Sequence, residues 1–305
     1  MRKMQEVLDK RLFYILIPVI LLVLFLFLKT GALGAGRIDD KDLEVWNRVD
    51  GVIVGADSFE LEGGNDSCWM VLHGYTDSPD SMRGISERVN KEFGDYVFVP
   101  RLLGHAEVPS HLLNYSLDDW YTQVSGEFDR LNERCDSVNV LGFSFGGALS
   151  LRLAEEKDVK NVYLIAPYLE PTYRWYAVVS LNFYVDLFSD FFVYFKKSKV
   201  AKVNSPEGLK THIAYWSFDL EPVKYSSGFL EVLRENIGKV DGPVLLIHSN
   251  GDSVASPEMS QMIYDEVGSD VKEIIFHERS DHVILADYDK LDVIDEVVRF
   301  ESENR

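Results

Sequence analysis

The chain has 305 residues, a formal net charge of −19 and an isoelectric point near 4.7. This length is enough for one large α/β domain with a full core. Its acidic residues are spread along the chain and no basic stripe is present to neutralise phosphates, which excludes nucleic acid as a partner.

The first element in the chain is an apolar run near the N-terminus. Residues 12–28 contain 17 positions without a charge, after Lys10 and Arg11 and before Lys29. About 17 residues is the lower limit for crossing a bilayer, whereas the apolar part of a signal peptide has about 7 to 15. We therefore expect an uncleaved single-pass membrane anchor, with a cleaved signal peptide as the alternative because small residues follow at 31–36. The basic pair before the run favours an extracytoplasmic globular domain.

The rest of the chain divides into a linker, a core and an insertion. Residues 1–30 hold the anchor, and residues 31–50, which are Gly-rich and then of mixed charge, are expected to be a linker. Strand and helix patterns alternate over residues 51–167 and 240–305, which predicts a mostly parallel sheet with helices on both faces. Residues 168–239 are a long insertion between two core strands.

Several elements of the core are predicted from local signals. Strands over 52–54 and 59–61 are expected to pair as a hairpin. Ser116 and Asp119 form a capping box, which predicts a helix that ends near Arg134. The remaining predicted strands are 68–72, 96–99, 138–141, 162–165, 244–248 and 274–277, and the remaining helices are 81–93, 148–156 and 288–301.

Two cysteines bear on the compartment of the domain. Cys68 stands at the beginning of the predicted strand over 68–72, and Cys135 stands shortly before the predicted strand over 138–141. If these strands are adjacent and parallel, both cysteines lie at the same edge of the sheet, where a disulfide is possible and would fit an extracytoplasmic domain. The alternative is two free thiols. With no C-x-x-C motif and no His/Cys cluster of zinc spacing, neither a metal nor a cofactor is expected.

A G-x-S-x-G motif formed by Gly142, Ser144 and Gly146 lies between a predicted strand and a predicted helix. A serine hydroxyl is a poor nucleophile unless it projects from a tight turn, within reach of a base and of backbone N–H donors. This context provides such a turn, and we expect Ser144 to be a catalytic nucleophile. The alternative is a structural turn between strand and helix.

Polar residues follow other predicted strands at their carboxyl ends, where ligands bind in parallel sheets. Asp252 follows the strand over 244–248, and His282 follows the strand over 274–277. Ser144, Asp252 and His282 are therefore expected to converge as nucleophile, acid and base. Asp281 is the rival acid, but its side chain should point away from its neighbour His282. His73 is expected to be structural, and three further histidines are treated as ordinary polar residues: His105, His212 and His248.

These segments resemble the carboxylesterase and monoacylglycerol lipase branch of the α/β-hydrolases, in which Ser, Asp and His occur in this chain order. The family often has Gly-His-Gly where this chain has Gly104, His105 and Ala106. The matching stretches, which cover most of residues 68–304, are VLHGYTDSP at 71–79, the acidic-Trp run at 118–120, LGFSFGG at 141–147, the region of Asp252 and Pro257, and SDHVILAD at 280–287. The resemblance implies an α/β-hydrolase fold and a helical cap formed by residues 168–239.

The chemistry of such a triad needs donors for the developing oxyanion. The backbone N–H groups of Tyr75, after the His-Gly pair, and Phe145, after the nucleophile, are expected to supply them. Tyr168 and Trp175, in the aromatic-rich first part of the insertion, and Trp120 are expected to contact substrate.

The aromatic surface of the insertion has more than one interpretation. One interpretation is a packed cap core. The other is a surface that forms an acyl-chain pocket and also rests on the bilayer, since aromatic residues favour membrane interfaces. The lysines that close the stretch either meet anionic headgroups or form a solvated face: Lys196, Lys197, Lys199 and Lys202.

Together these features predict a membrane-anchored serine hydrolase that cleaves carboxylic esters of medium or long acyl chains, such as monoacylglycerols, through an acyl-enzyme. A thioesterase or an amidase would use the same triad. A membrane-tethered binding protein of the same fold is the alternative from another class, and the complete set of Ser144, Asp252 and His282 argues against it.

Overall fold

The computed structural model describes residues 17, 19–22, 38–172, 194–197, 199–219 and 221–305. The predicted anchor at 12–28 lies largely outside these residues, and Trp175 lies outside them. Within the part of the chain that is described, no helix combines the length and the apolar character needed to cross a bilayer.

The described residues contain strands and helices in alternation. The strands are β1 Arg48–Val49, β2 Val52–Ile53, β3 Phe59–Leu61, β4 Gly64–Leu72, β5 Asp95–Val99, β6 Val138–Phe143, β7 Val162–Ile165, β8 Tyr194–Lys196, β9 Ser217–Asp219, β10 Val244–Ser249 and β11 Lys272–His277. The helices are α1 Asp40–Val45, α2 Arg83–Phe93, α3 Leu117–Arg134, α4 Phe145–Glu156, α5 Pro206–Thr211, α6 Glu221–Asn236, α7 Pro257–Glu266 and α8 Lys290–Asn304.

A seven-stranded sheet with the order β11-β10-β7-β6-β4-β5-β3 lies at the centre of the domain. All neighbours in it are parallel except β3, which pairs antiparallel with β5 at one edge. The side chains of β4 alternate between two cores. Met70 and Leu72 pack in the core that includes α3 and α4, whereas Trp69 and Val71 pack in the core that includes α2 and α8. The prediction of a mostly parallel sheet with helices on both faces is confirmed.

The predicted capping box is confirmed. The Ser116 hydroxyl accepts a hydrogen bond from the backbone N–H of Asp119 at 3.2 Å, and the Ser116 N–H donates to the Asp119 carboxylate at 2.8 Å. These two bonds satisfy backbone donors at the beginning of α3, which ends at Arg134 as predicted.

The predicted hairpin between residues 52–54 and 59–61 is wrong. Instead β2 pairs antiparallel with β1, and β3 joins the edge of the large sheet beside β5. Asp50 and Gly51 connect β1 to β2, both with positive φ, at 51° and 86°. An Asp-Gly pair in this conformation is the favoured two-residue hairpin turn, so it determines the pairing.

Part of the expected linker is folded against the insertion. Ile38 is fully buried, and the indole N–H of Trp46 donates to the backbone oxygen of Ala214 at 3.1 Å. The buried carboxylate of Asp42, on α1, accepts a hydrogen bond from the backbone N–H of Trp216 at 3.0 Å. Residues 38–50 therefore pack on the domain, in contrast to the linker expected over 31–50.

Cys68 and Cys135 form a disulfide, with their Cα atoms 6.0 Å apart. Cys135 caps the C-terminus of α3, and Cys68 pairs with Val138 across the neighbouring strands β4 and β6. Of the two alternatives left open by the sequence, the structure contains the disulfide.

Candidate active site

Ser144 lies at the sharp turn between β6 and α4, with φ 54° and ψ −119°. A non-glycine residue rarely adopts positive φ, and such strain occurs where the surrounding structure fixes the backbone. The two glycines of the motif allow close contacts around this turn. A Cβ on Gly142 would lie 2.1 Å from the backbone oxygen of Gly146, and a Cβ on Gly146 would lie 2.4 Å from that of Leu72. The G-x-S-x-G motif therefore has the predicted geometry of strand, turn and helix.

Three side chains from three strand ends form a hydrogen-bonded row. Nε2 of His282 lies 2.9 Å from Oγ of Ser144, and Nδ1 of His282 lies 2.7 Å from Oδ2 of Asp252. All three side chains are buried. An imidazole held in this way can take the serine proton on one nitrogen while the carboxylate fixes the proton on the other.

The carboxylate of Asp252 accepts four hydrogen bonds. Oδ1 accepts from the backbone N–H groups of Val254 at 2.7 Å and Ala255 at 2.9 Å, and Oδ2 accepts from His282 and from Nε2 of His248 at 3.0 Å. Burial alone would raise the pKa of Asp252. Attraction to His282 and the hydrogen bonds from His248 and His282 outweigh burial and hold this pKa well below its usual range. Asp252 is therefore a charged carboxylate at neutral pH.

His248 is a member of the site that the sequence analysis treated as an ordinary polar residue. It is fully buried, and its Nδ1 lies 2.6 Å from the hydroxyl of Ser260 on α7. When the Ser260 hydroxyl donates to Nδ1, Nε2 carries the proton that is donated to Asp252. The signal available in the sequence is that His248 ends a predicted strand and lies four residues before Asp252.

The rival acid Asp281 is turned away from the imidazole of His282. Its Oδ1 accepts from the backbone N–H groups of Ser253 and His282, each at 2.8 Å. Its Oδ2 accepts from the Ser253 hydroxyl at 3.1 Å. Asp281 thus fixes the backbone of the two loops that carry Asp252 and His282, whereas Asp252 contacts the ring.

The two residues expected to stabilise the oxyanion flank the nucleophile. A Cβ on Gly74 would lie 3.1 Å from Cβ of Ser144, so the turn that leads to Tyr75 packs directly on the nucleophile. Phe145 is the first residue of α4, where the helix dipole favours negative charge. The rings of Tyr75 and Phe145 are 5.5 Å apart between centroids. The structure therefore places both residues next to Ser144.

His73 holds the turn that leads to Tyr75 through two hydrogen bonds. Its Nε2 accepts from the backbone N–H of Leu102 at 3.1 Å, which leaves Nδ1 to donate to the backbone oxygen of Gly74 at 2.9 Å. Burial lowers the pKa of His73. Because both nitrogens of this neutral imidazole are hydrogen bonded to backbone groups, His73 has the structural role expected for it.

Of the three aromatic residues expected to contact substrate, two are described. Trp120 is buried, with its ring 5.7 Å from the Tyr75 ring between centroids, and its indole N–H donates to the backbone oxygen of Leu103 at 2.8 Å. Tyr168 stacks on Phe145 at 4.7 Å between ring centroids. Burial, with a contribution from Glu170, raises the pKa of the Tyr168 phenol to about 12. Both rings are buried and pack on the residues that flank Ser144, Trp120 on Tyr75 and Tyr168 on Phe145.

The beginning of the insertion is hydrogen bonded to the loop that carries the acid. The Thr172 hydroxyl lies 3.0 Å from the backbone oxygen of Asp252 and 2.8 Å from that of Ala255. The Thr172 N–H donates to the backbone oxygen of Val254 at 2.9 Å. No signal in the sequence indicated this contact, because it joins segments 80 residues apart.

One group of side chains in the described residues has the spacing of a metal site. The ligand atoms of His277, Asp289 and Asp292 lie within 4.8 Å of one another. The guanidinium of Arg279 is 2.6 Å from each of the two carboxylates. Because this cation already pairs with both acids, we assign the group to an ion-pair network.

Known proteins resemble this chain in sequence. The sequence profile of the alpha/beta hydrolase family matches residues 70–296. The carboxylesterase of Bacillus subtilis (strain 168) is 25% identical over 244 residues, which are 79% of this chain and 94% of that enzyme. The thermostable monoacylglycerol lipase of Bacillus sp. (strain H-257) is 26% identical over 253 residues, which are 82% of this chain and 95% of that enzyme.

Solved structures share the fold. A structure from work on LipS and LipT, two metagenome-derived lipolytic enzymes, has a TM-score of 0.74 and 26% identity, covering 83% of this chain and 99% of its own. The monoacylglycerol lipase of Paleococcus ferrophilus has a TM-score of 0.69 and 16% identity, covering 83% of this chain and 100% of its own, a likeness of fold alone.

Proposed function

The chain belongs to the alpha/beta hydrolase family and is a hydrolase of carboxylic esters, and we propose that it cleaves them with Ser144, His282 and Asp252 through an acyl-enzyme. The observation that carries this proposal is the row of contacts from the Ser144 hydroxyl to Nε2 of His282 at 2.9 Å and from Nδ1 of His282 to Asp252 at 2.7 Å. A buried, charged carboxylate at the end of that row stabilises the imidazolium that forms during attack.

The proposed reaction has two half-reactions. Oγ of Ser144 attacks the ester carbonyl while its proton passes to Nε2 of His282, and the oxyanion accepts from the backbone N–H groups of Tyr75 and Phe145. The tetrahedral intermediate collapses, the alcohol leaves with the proton from His282, and the acyl group stays on Ser144. His282 then takes a proton from water, the hydroxide attacks the acyl-enzyme, and the proton returns to Ser144 as the carboxylic acid is released.

Monoacyl esters of medium or long chains are the proposed substrates. The support is the aromatic cluster around the two residues that flank Ser144, in which Trp120 packs on Tyr75 and Tyr168 packs on Phe145, and the resemblance to an enzyme named as a monoacylglycerol lipase. Rates on p-nitrophenyl esters, with matched thioesters and anilides, test the class of substrate. Faster hydrolysis of octanoate or decanoate than of acetate is expected, and a preference for acetate, thioester or anilide overturns this part.

Labelling with a fluorophosphonate tests the nucleophile. We expect the full-length protein to label and Ser144→Ala to be unlabelled and inactive. Ser137→Ala, which changes a partly exposed serine just before β6, is the matched control and should label like the wild type. A protein that is folded but unlabelled, or labelling that survives in Ser144→Ala, contradicts the mechanism and favours a non-catalytic member of the fold.

Residues 12–28 are proposed to anchor the enzyme in a membrane, with the catalytic domain outside the cytoplasm. The charge-free run of 17 residues and the disulfide between Cys68 and Cys135 support this location, because disulfides persist in oxidising compartments. A reporter fused after Arg305 should be active only when exported. Activity of a reporter that functions only in the cytoplasm would overturn this orientation.

A further inference from the structure

The insertion holds the turn after β4 at three points. The backbone N–H of Tyr215 donates to the backbone oxygen of Thr76 at 2.9 Å. Nζ of Lys197 lies 2.7 Å from the Thr76 hydroxyl. Nε2 of His212 lies 3.2 Å from Oδ1 of Asp77. Thr76 directly follows Tyr75, so these contacts fix the backbone next to an expected oxyanion donor.

The turn needs such support because its backbone is strained. Thr76 has a φ of 60°, which is rare for a β-branched residue. A strained conformation of this kind persists only when the surrounding structure determines it, at a cost of about 1–3 kcal/mol. The hydrogen bonds from Tyr215 and Lys197 supply two of the contacts that determine it.

Lys197 differs from the lysines around it. It is partly buried, whereas Lys196 and Lys199 are exposed. Burial lowers the pKa of Lys197 to about 8, although the charges of Asp77 and Asp42 act in the opposite direction. A second contact of its ammonium is the backbone oxygen of Val200 at 3.4 Å. The expectation that the lysines of this stretch meet headgroups or form a solvated face is therefore wrong for Lys197.

We propose that Lys197 is a positioning residue that holds the turn after β4, residues 73–77, through the Thr76 hydroxyl. It thereby keeps the backbone N–H of Tyr75 in this oxyanion turn aimed at the developing oxyanion. This inference rests on the proposed function. The ammonium contacts neither the substrate nor Ser144. Its effect is on the transition state, because oxyanion donors stabilise the tetrahedral intermediate more than the bound ester.

A double-mutant cycle tests the link between the two side chains. Lys197→Met removes the ammonium and keeps a long unbranched side chain. Thr76→Val removes the hydroxyl and keeps the β branch. Each change is expected to lower kcat about tenfold with KM within about twofold, since one charge-assisted hydrogen bond is lost. The double variant should be no slower than the slower single variant. Lys199→Met, on an exposed neighbour, is the matched control and should keep the wild-type kcat.

Two further measurements separate positioning from general destabilisation. Binding of an alkylboronic acid, which forms a tetrahedral adduct on the nucleophile, should weaken in parallel with kcat/KM, and Thr76→Ser, which keeps the hydroxyl, should retain most activity. If Lys197→Met does not fold, Thr76→Val still tests the inference with the lysine present. Wild-type kcat in Thr76→Val, or multiplicative losses in the double variant, overturns it. If either of these results is obtained while Ser144→Ala is inactive, only the role of Lys197 is refuted. If Ser144→Ala is active, the proposed function itself is refuted.

Discussion

Nε2 of His248 lies 3.0 Å from Oδ2 of Asp252, the same oxygen that accepts the 2.7 Å hydrogen bond from Nδ1 of His282. One carboxylate oxygen is thus shared between two imidazoles. A second donor draws negative charge away from the bond to the proposed base, so His248 should tune how strongly Asp252 favours the imidazolium form of His282.

Replacing His248 with Phe should shift the pH dependence of the reaction. With one donor removed, Asp252 stabilises the imidazolium more strongly, and the acidic limb of kcat/KM moves to higher pH by up to about one unit. His248→Gln, whose amide can donate in place of Nε2, should restore the wild-type limb. Rates across pH 4 to 9 measure this. An unchanged limb in His248→Phe would show that the histidine only fills space.

Asn substitutions at the two neighbouring acids should differ sharply. Asp252→Asn loses the charge opposite His282 and favours the wrong tautomer, and kcat should fall about 10⁴-fold. Asp281→Asn changes only a carboxylate that binds backbone N–H groups and the Ser253 hydroxyl, and its kcat should fall less than tenfold. Steady-state kinetics with one ester compares kcat of the two variants. A larger loss in Asp281→Asn than in Asp252→Asn would reverse the assignment of the acid.

The parts of the fold that the sequence predicts depend on local signals. Each of these signals lies within a few neighbouring residues: the capping box at Ser116, the apolar parallel strands and the turn at Ser144. The rule that polar groups meet at the carboxyl ends of parallel strands then predicts the positions of Asp252 and His282. The predicted hairpin between 52–54 and 59–61 is wrong because the Asp-Gly turn at Asp50 and Gly51 pairs β2 with β1 instead.

The supporting contacts of the site could not be read from the sequence. Lys197 and Thr76 are 121 residues apart, and Thr172 and Asp252 are 80 apart. No periodicity or spacing links such pairs, since they arise from how the insertion packs on the core. His248 is close to Asp252 in sequence, but the same His is equally compatible with a buried strand end.

Removing the disulfide should lower stability and leave catalysis intact. Cys68 and Cys135 are 67 residues apart in the chain, and closing a loop of this size is worth about 4 kcal/mol in the chain-entropy account, with a usual range of 2–5. The bond lies roughly 15–20 Å along β4 from the oxyanion turn, given about 3.3 Å per residue. Cys68→Ala with Cys135→Ala should therefore lower Tm by roughly 5–15 °C and keep kcat within about twofold. Calorimetry and ester hydrolysis measure the two effects, and a large loss of kcat at a temperature where the variant is folded would contradict this separation.

Asp42 should make the protein less stable as the pH rises. Its carboxylate is fully buried, and burial raises its pKa to about 6, against the hydrogen bond from Trp216 and the charges of Lys197 and Arg48. The folded state therefore binds this proton more tightly than the unfolded state, whose pKa is near 3.8, and stability is lost between pH 4 and pH 6. Asp42→Asn keeps an oxygen that can accept from Trp216 and lacks the titration. Relative to wild type, its free energy of unfolding should rise from pH 4 to pH 7 by up to about 3 kcal/mol, since two pKa units correspond to about that amount.

Urea unfolding of the full-length protein at pH 4, 5, 6 and 7 measures this difference. Asp40→Asn, on the exposed side of the same short helix, is the matched control, and its difference from wild type should change by less than about 0.5 kcal/mol over that range. If the free energy of Asp42→Asn relative to wild type instead falls as the pH rises, the charged Asp42 is a net stabilising partner of Lys197 and Arg48. The attraction between these charges would then exceed the cost of burying the carboxylate, and the N-terminal segment would be held to the insertion by an ion pair rather than by the hydrogen bond to Trp216.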